Sequence, residues 1–174
     1  MIKNLDKTIK NLKKVRNSIE NKIFSLFIKK SLIWIRDRAI NILESKLSFS
    51  PNWFGTNVTN VSSWSIRQIS AKSFVLENNY ENSAAIEFGI GVKGQENPHE
   101  LAQENGYEYN QYSESKDLNG TFTFTDQNDQ VWYRFSGYVG KSFLYDSLME
   151  YKQNDIWKQI YQQAFDEIMR GVIK

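Results

Sequence analysis

The chain has 174 residues, 40% of them hydrophobic and 14% aromatic, with 22 Lys and Arg against 20 Asp and Glu. That size suits one domain burying about 70% of its unfolded surface, and the composition excludes an intrinsically disordered chain. The absence of cysteine excludes disulfide frameworks, thiol nucleophiles and cysteine-ligated zinc, and the single histidine, His99, excludes a two-histidine metal site.

The net charge of +2 hides an asymmetry. Residues 1–50 hold 12 basic against 4 acidic residues, net +8, and the remainder therefore carries −6. No apolar run is long enough for a membrane span, and the N-terminus lacks the apolar core and cleavage site of a signal peptide, so the expectation is a soluble intracellular protein with no membrane partner.

Leu5, Ile9, Leu12, Ile19, Ile23 and Leu26 recur at three- and four-residue steps, with Arg16 in the missing position. This pattern predicts an amphipathic helix, extended through Phe27, Leu32, Ile33, Ile40, Leu43 and Leu47. A helical segment over 1–47 is long for a domain of this size and implies a break or a protruding arm. The expectation is that residues 20–47 pack on the sheet while the first twenty extend toward a neighbouring subunit. Lys3, Lys7, Lys10, Lys13, Lys14, Lys22, Lys29 and Lys30 occupy the other faces, available to nucleic acid, an acidic surface or solvent alone. Lys7, Lys10, Lys13 and Lys14 are the candidate interface there. Pro51 and Gly55 break the helix, and Phe49, Trp53 and Phe54 in this loop either return to the core or form a docking tip.

Beyond Ser63 the period shortens. Trp64–Ile66 and Phe74–Leu76 flank Ser70-Ala71-Lys72 and predict a hairpin. Ala84–Phe88 is expected as a third strand of an antiparallel meander, with Asn78–Asn82 as the turn. Residues 95–120 read as an extended, partly mobile polar insertion, and Thr121–Thr125 with Val131–Phe135 predict a second hairpin. The region 142–171 reads as helical, with Asn154 or Asp155 as cap, Gly171 as terminator, and a broad apolar core face in which Ile156, Ile160, Ala164 and Ile168 run beside Trp157, Tyr161, Phe165 and Met169. The expected class is α+β: a small antiparallel β-sheet (63–135) covered by the long N-terminal helix and the C-terminal amphipathic helix, in a single domain.

Gly89-Ile90-Gly91-Val92-Lys93-Gly94 matches the G-x-G-x-x-G pattern of nucleotide-binding loops. Its context does not: Pro98 and a polar run follow, where a full helix and a second strand ending in an acidic residue are required. Glu87, inside this turn, is expected to accept backbone N–H bonds and hold its shape. The abundant carboxylates, Glu100, Glu104 and Glu108 among them, show no convergent spacing, so no catalytic residue, metal site or cofactor is expected.

The string Ile86-Glu87-Phe88-Gly89-Ile90-Gly91, followed by Gly94, Asn97-Pro98-His99, Ala102 and Gly106-Tyr107-Glu108-Tyr109, resembles the bacteriophage tail-completion (neck, head-tail joining) proteins of the Hong Kong 97 type. Val61–Ile66 and Gly140–Leu148 fit the family's arrangement as well. Ile90 stands where threonine is usual, and Gly140-Lys141-Ser142-Phe143 lacks the family's proline. The resemblance implies a structural, non-enzymatic virion protein with no cofactor, built around the strand-end turn of Glu87, Phe88, Gly89, Gly91 and Gly94. Its implied partners are copies of itself in a ring, six by analogy, and the connector or portal on one side and the tail tube on the other. DNA passes through the channel without sequence-specific binding. The implied location is the virion neck, after assembly in the host cytoplasm. The alternative is a nucleic-acid-binding module using the basic N-terminal helix.

Overall fold

The computed structural model describes residues 3–47, 58–70, 72–80, 83–109, 122–125, 132–135 and 137–172. The fold is α+β. Helix α1 (Lys3–Leu47) is followed by strands β1 (Trp64–Ser70) and β2 (Ser73–Asn78), a short helix α2 (Ser83–Phe88), the two-residue strand β3 (Gly89–Ile90) and a second short helix α3 (Gly91–Glu96). Then come β4 (Phe122–Thr125), β5 (Trp132–Phe135), β6 (Tyr138–Val139), α4 (Phe143–Gln153) and α5 (Ile156–Val172). The strands form three separate two-stranded ladders, β1 with β2, β3 with β6 and β4 with β5.

The chain divides into two compact units, each built from discontinuous segments. The first comprises Met1–Arg38, Trp64–Glu77 and Ser147–Lys174. Helix α1 contains neither glycine nor proline and runs 45 residues without interruption, about 68 Å at 1.5 Å per residue. Within this unit Phe27 meets Tyr161 edge-on at 5.6 Å, Trp34 lies 5.8 Å from Tyr151, and the Tyr151 hydroxyl donates to Ser31 Oγ at 2.7 Å. Ser31 Oγ in turn donates to the Phe27 carbonyl, so the buried hydroxyl has a partner on each side. Ion pairs Lys30–Glu167 (3.0 Å) and Arg38–Glu150 (2.7 Å) flank the seam. These partners of α1 are α4 and α5, whereas the sequence pattern predicts packing on a sheet. Large aromatic side chains on the helices supply the area that a two-stranded ladder lacks.

The C-terminal helical region is two helices. Asp155 adopts φ of 54°, a left-handed conformation that aspartate tolerates better than most residues, and this separates α4 from α5. Its carboxylate pairs with Lys158 at 2.8 Å, and Gly171 lies within α5 instead of ending it. Of the expected core face of α5, Ile160 and Ala164 are buried, whereas Trp157, Tyr161 and Phe165 are exposed.

The second unit comprises Ala39–Ser63 and Asn78–Asp146. Its core gathers Ala39, Ile40, Leu43, Val58, Ala85, Ile86, Ile90, Ala102 and Phe143. Two expectations are corrected here. Residues 84–88, predicted as the third strand of a meander, are helical in α2, because a five-residue run with four apolar members fits one buried helical turn as well as a strand. Residues 95–109 are not an extended insertion: successive turns at His99–Ala102, Leu101–Asn105 and Gln103–Gly106 close on themselves, with His99 and Ala102 buried. Residues 110–120 lie outside the described residues, as do Phe49, Trp53 and Phe54.

The two predicted hairpins are present. β1 and β2 are joined by residues 71–72, with Arg67 and Glu77 paired across them at 2.6 Å. β4 and β5 are antiparallel, with Phe122 opposite Phe135 and Thr125 opposite Trp132.

Candidate functional site

The turn at Glu87–Gly94 is built around two glycines. Gly89 and Gly91 have φ of 91° and 67°, values that a side chain resists, and they bracket Ile90 so that the chain passes from α2 through β3 into α3 within three residues. β3 pairs with β6, Gly89 opposite Val139 and Ile90 opposite Tyr138. Gly137, at the near end of β6, has φ of 85°, and a Cβ there would stand 1.9 Å from the Ile90 carbonyl oxygen. Gly94 is buried in α3, where a Cβ would lie 2.8 Å from the Tyr109 ring. Phe88, the remaining turn residue, meets Tyr107 at a tilt at 4.7 Å and His99 edge-on at 4.9 Å.

Glu87 performs a task the sequence showed only in part. Its Oε2 accepts from the Leu144 amide and its Oε1 from the Tyr145 amide, both at 2.9 Å. Both amides belong to the first turn of α4, where a carboxylate also meets the positive end of the helix dipole. The residue in the usual capping position, Ser142, has φ of 47°. A carboxylate from 57 residues upstream supplies the cap instead. Backbone bonds from Lys141 to Ile86 and from Ser142 to Glu87 hold the two segments in register. Lys46 adds a third strut, donating to the Lys141 carbonyl and pairing with Asp146 at 2.6 Å.

His99 completes the arrangement. Its Nδ1 accepts from the Leu101 amide at 3.1 Å, which assigns the proton to Nε2. Nε2 is buried, makes no hydrogen bond, and faces Glu87 Oε1 at 3.5 Å. Tyr145 packs edge-on to the imidazole at 5.3 Å, and its hydroxyl bonds to Glu100. The Tyr109 hydroxyl accepts from the His99 amide at 2.9 Å, and the Tyr107 hydroxyl donates to the Gly89 carbonyl at 2.6 Å.

The Glu87 and His99 side chains are only 9% and 3% exposed. Burial pushes the Glu87 carboxyl above its ordinary value, against the opposing pull of the Leu144 and Tyr145 amides and of His99. A carboxylate and imidazole so enclosed hold a helix in place; they offer a substrate no approach. Among the described residues no three His, Cys, Asp or Glu side chains come together as a metal site. The G-x-G-x-x-G segment does start a helix, α3, but that helix is only six residues long, shorter than a nucleotide-binding loop requires.

The expected interface lysines lie elsewhere. Lys7, Lys10, Lys13 and Lys14 are exposed on α1, and of the side chains at 7–22 only Ile19 is even half-buried. Leu12 and Val15 are 64% and 57% exposed, and Ile9 is exposed as well. Lys14 alone of the four lines an open groove of about 730 Å³, together with Lys22, Lys29 and Asn17 of α1, Gln68 of β1 and Ile168 of α5. Sequence periodicity places the lysines on one helix but gives no sign of the groove, because Gln68 and Ile168 come from distant segments. No helix among the described residues is long and apolar enough to cross a membrane. Compared with protein-family models, curated proteins and solved structures, the chain matches none.

Proposed function

We propose that this chain is a structural assembly protein that forms a homo-oligomeric ring and completes the head-tail junction of a tailed phage or prophage, meeting connector-side and tail-tube-side proteins at the virion neck. The observation that carries the assembly reading is the arm of α1. Sixteen described residues, 7–22, extend with an exposed apolar stripe of Ile9, Leu12 and Val15 between lysines. A helical stretch of this length gains little stability from an apolar stripe left in water, and covering that stripe on a neighbour adds support. The exposed row of Trp157, Tyr161 and Phe165 on α5 is a second apolar surface suited to subunit contact.

The phage assignment rests on the resemblance at Glu87–Gly94 and the segments that follow it. The anchoring of that turn to α4 supports a structural role, since the motif's one carboxylate is spent on a helix cap. Light scattering across concentration and salt, with electron microscopy of any large species, tests the reading. A closed ring is expected. A strict monomer at every concentration, also in the presence of connector proteins, overturns it.

A nucleic-acid-binding module is the second reading, favoured by the lysines along the groove. Binding of that kind weakens steeply with salt, roughly as the number of phosphates neutralised.

A further inference from the structure

We infer that the lysine-lined groove of one copy receives the glutamate ridge Glu96–Glu108 of the next, a head-to-tail contact between unlike surfaces; this rests on the assembly reading above. The groove contains no carboxylate. Among the described residues Lys14, Lys22 and Lys29 form no ion pair, unlike Lys30, which is held by Glu167. The three follow one face of α1, separated by eight and seven residues, or about 12 and 10 Å along the axis. Three charges spread over about 22 Å of axis cannot all converge on one phosphate or one carboxylate. They match a row of anions, each met singly.

Such a row is present on the chain. Residues 96–108 hold four glutamates and no lysine or arginine. Glu96, Glu100, Glu104 and Glu108 are all exposed. The segment is held rigid from beneath: His99 and Ala102 are buried, Tyr107 and Tyr109 are tied to Gly89 and His99, and the Tyr145 hydroxyl fixes Glu100. Glu100 and Glu104 lie in successive turns closed by the His99–Ala102 and Leu101–Asn105 bonds. A preorganised ridge loses little side-chain and loop entropy on docking.

The lining favours a polypeptide over nucleic acid. It has no arginine for bidentate phosphate contacts and no aromatic ring on which a base can stack. Asn17, Ser18, Asn21, Ser25 and Gln68 both donate and accept, as a peptide backbone requires, and Leu26 and Ile168 give apolar contact. Because groove and ridge are different surfaces, each copy offers one of each. Contacts of this kind propagate head to tail and close into a ring when the rotation permits.

The test uses two full-length variants. One carries Lys14→Glu, Lys22→Glu and Lys29→Glu; the other carries Glu96→Lys, Glu104→Lys and Glu108→Lys, leaving Glu100 on Tyr145. All six positions are exposed, and circular dichroism checks that each variant folds. Sedimentation velocity at low and at 0.5 M salt reads assembly, and a fluorescent duplex oligonucleotide reads DNA binding. Each variant alone is expected to assemble at least tenfold more weakly than the parent, and their equimolar mixture to recover assembly, since opposite charges then meet again. Variants that assemble like the parent overturn the contact while leaving the ring reading intact. A groove variant that loses only oligonucleotide binding overturns it in favour of nucleic acid. A parent that never assembles removes both readings together.

Discussion

The arm of α1 and the turn at Glu87–Gly94 are opposite solutions to the same problem, how a short stretch of backbone acquires a fixed shape. The turn makes its own environment: two glycines bend the chain, one carboxylate caps a helix, and Phe88, His99, Tyr107 and Tyr145 enclose them. The arm shows an exposed apolar stripe of Ile9, Leu12 and Val15 and an Arg16–Glu20 pair that solvent screens. A segment closed by its own contacts is a structural joint, and one left open is a surface awaiting a partner. Substitutions should therefore separate cleanly into those that unfold the chain and those that dissociate it.

The largest effect is expected at Gly137. Gly137→Ala drives a methyl group against the Ile90 carbonyl and strains a left-handed backbone, which together should destabilise by about 3 kcal/mol or more, read as the urea midpoint. Equal midpoints would show that β6 can move away from β3 without penalty.

Next comes Glu87→Ala, which removes the carboxylate that accepts from the Leu144 and Tyr145 amides. A loss of about 1–2 kcal/mol is expected, in the range of N-cap deletions. Hydrogen exchange localises it: the first turn of α4 should lose protection while α5 keeps it.

A smaller, pH-dependent effect follows from the buried carboxyl. Because the folded state raises Glu87 above its ordinary 4.5, folding favours the protonated form. Its contribution is fully present below the ordinary value and is lost as pH rises through the raised one. Chemical denaturation of parent and Glu87→Gln should diverge as pH rises above 4.5, the parent falling relative to the variant. A parent that gains on the variant over that window would show that the amides and His99 outweigh desolvation.

The smallest effect on the monomer is expected from the arm. Leu12→Lys with Val15→Lys should change unfolding stability by less than about 0.5 kcal/mol, as for exposed positions generally, yet weaken assembly. Deleting residues 1–18 should do the same more severely; a collapsed circular-dichroism spectrum would place the arm among the structural joints.

Much of this division was legible in the residues themselves. The apolar steps from Leu5 to Leu47, uninterrupted by glycine or proline, specify α1, and the alternation around Ser70–Lys72 and Asp126–Gln130 specifies two hairpins. These signals are local, so the sequence determines them without reference to the rest of the fold. What happens at 84–88 is not local. Ala84, Ala85 and Ile86 fit a helix or a buried strand, and the choice falls to distant partners such as the Lys141 amide on the Ile86 carbonyl and the first turn of α4 on Glu87. The same holds for Glu87, whose partners lie 57 and 58 residues away, for His99, whose role depends on Leu101 and Glu87 at once, and for the groove that brings Gln68 and Ile168 beside Lys14. Periodicity records which face of an element is apolar; only the tertiary structure decides which distant donor, ring or charge meets that face, because such pairings leave no repeat in the chain.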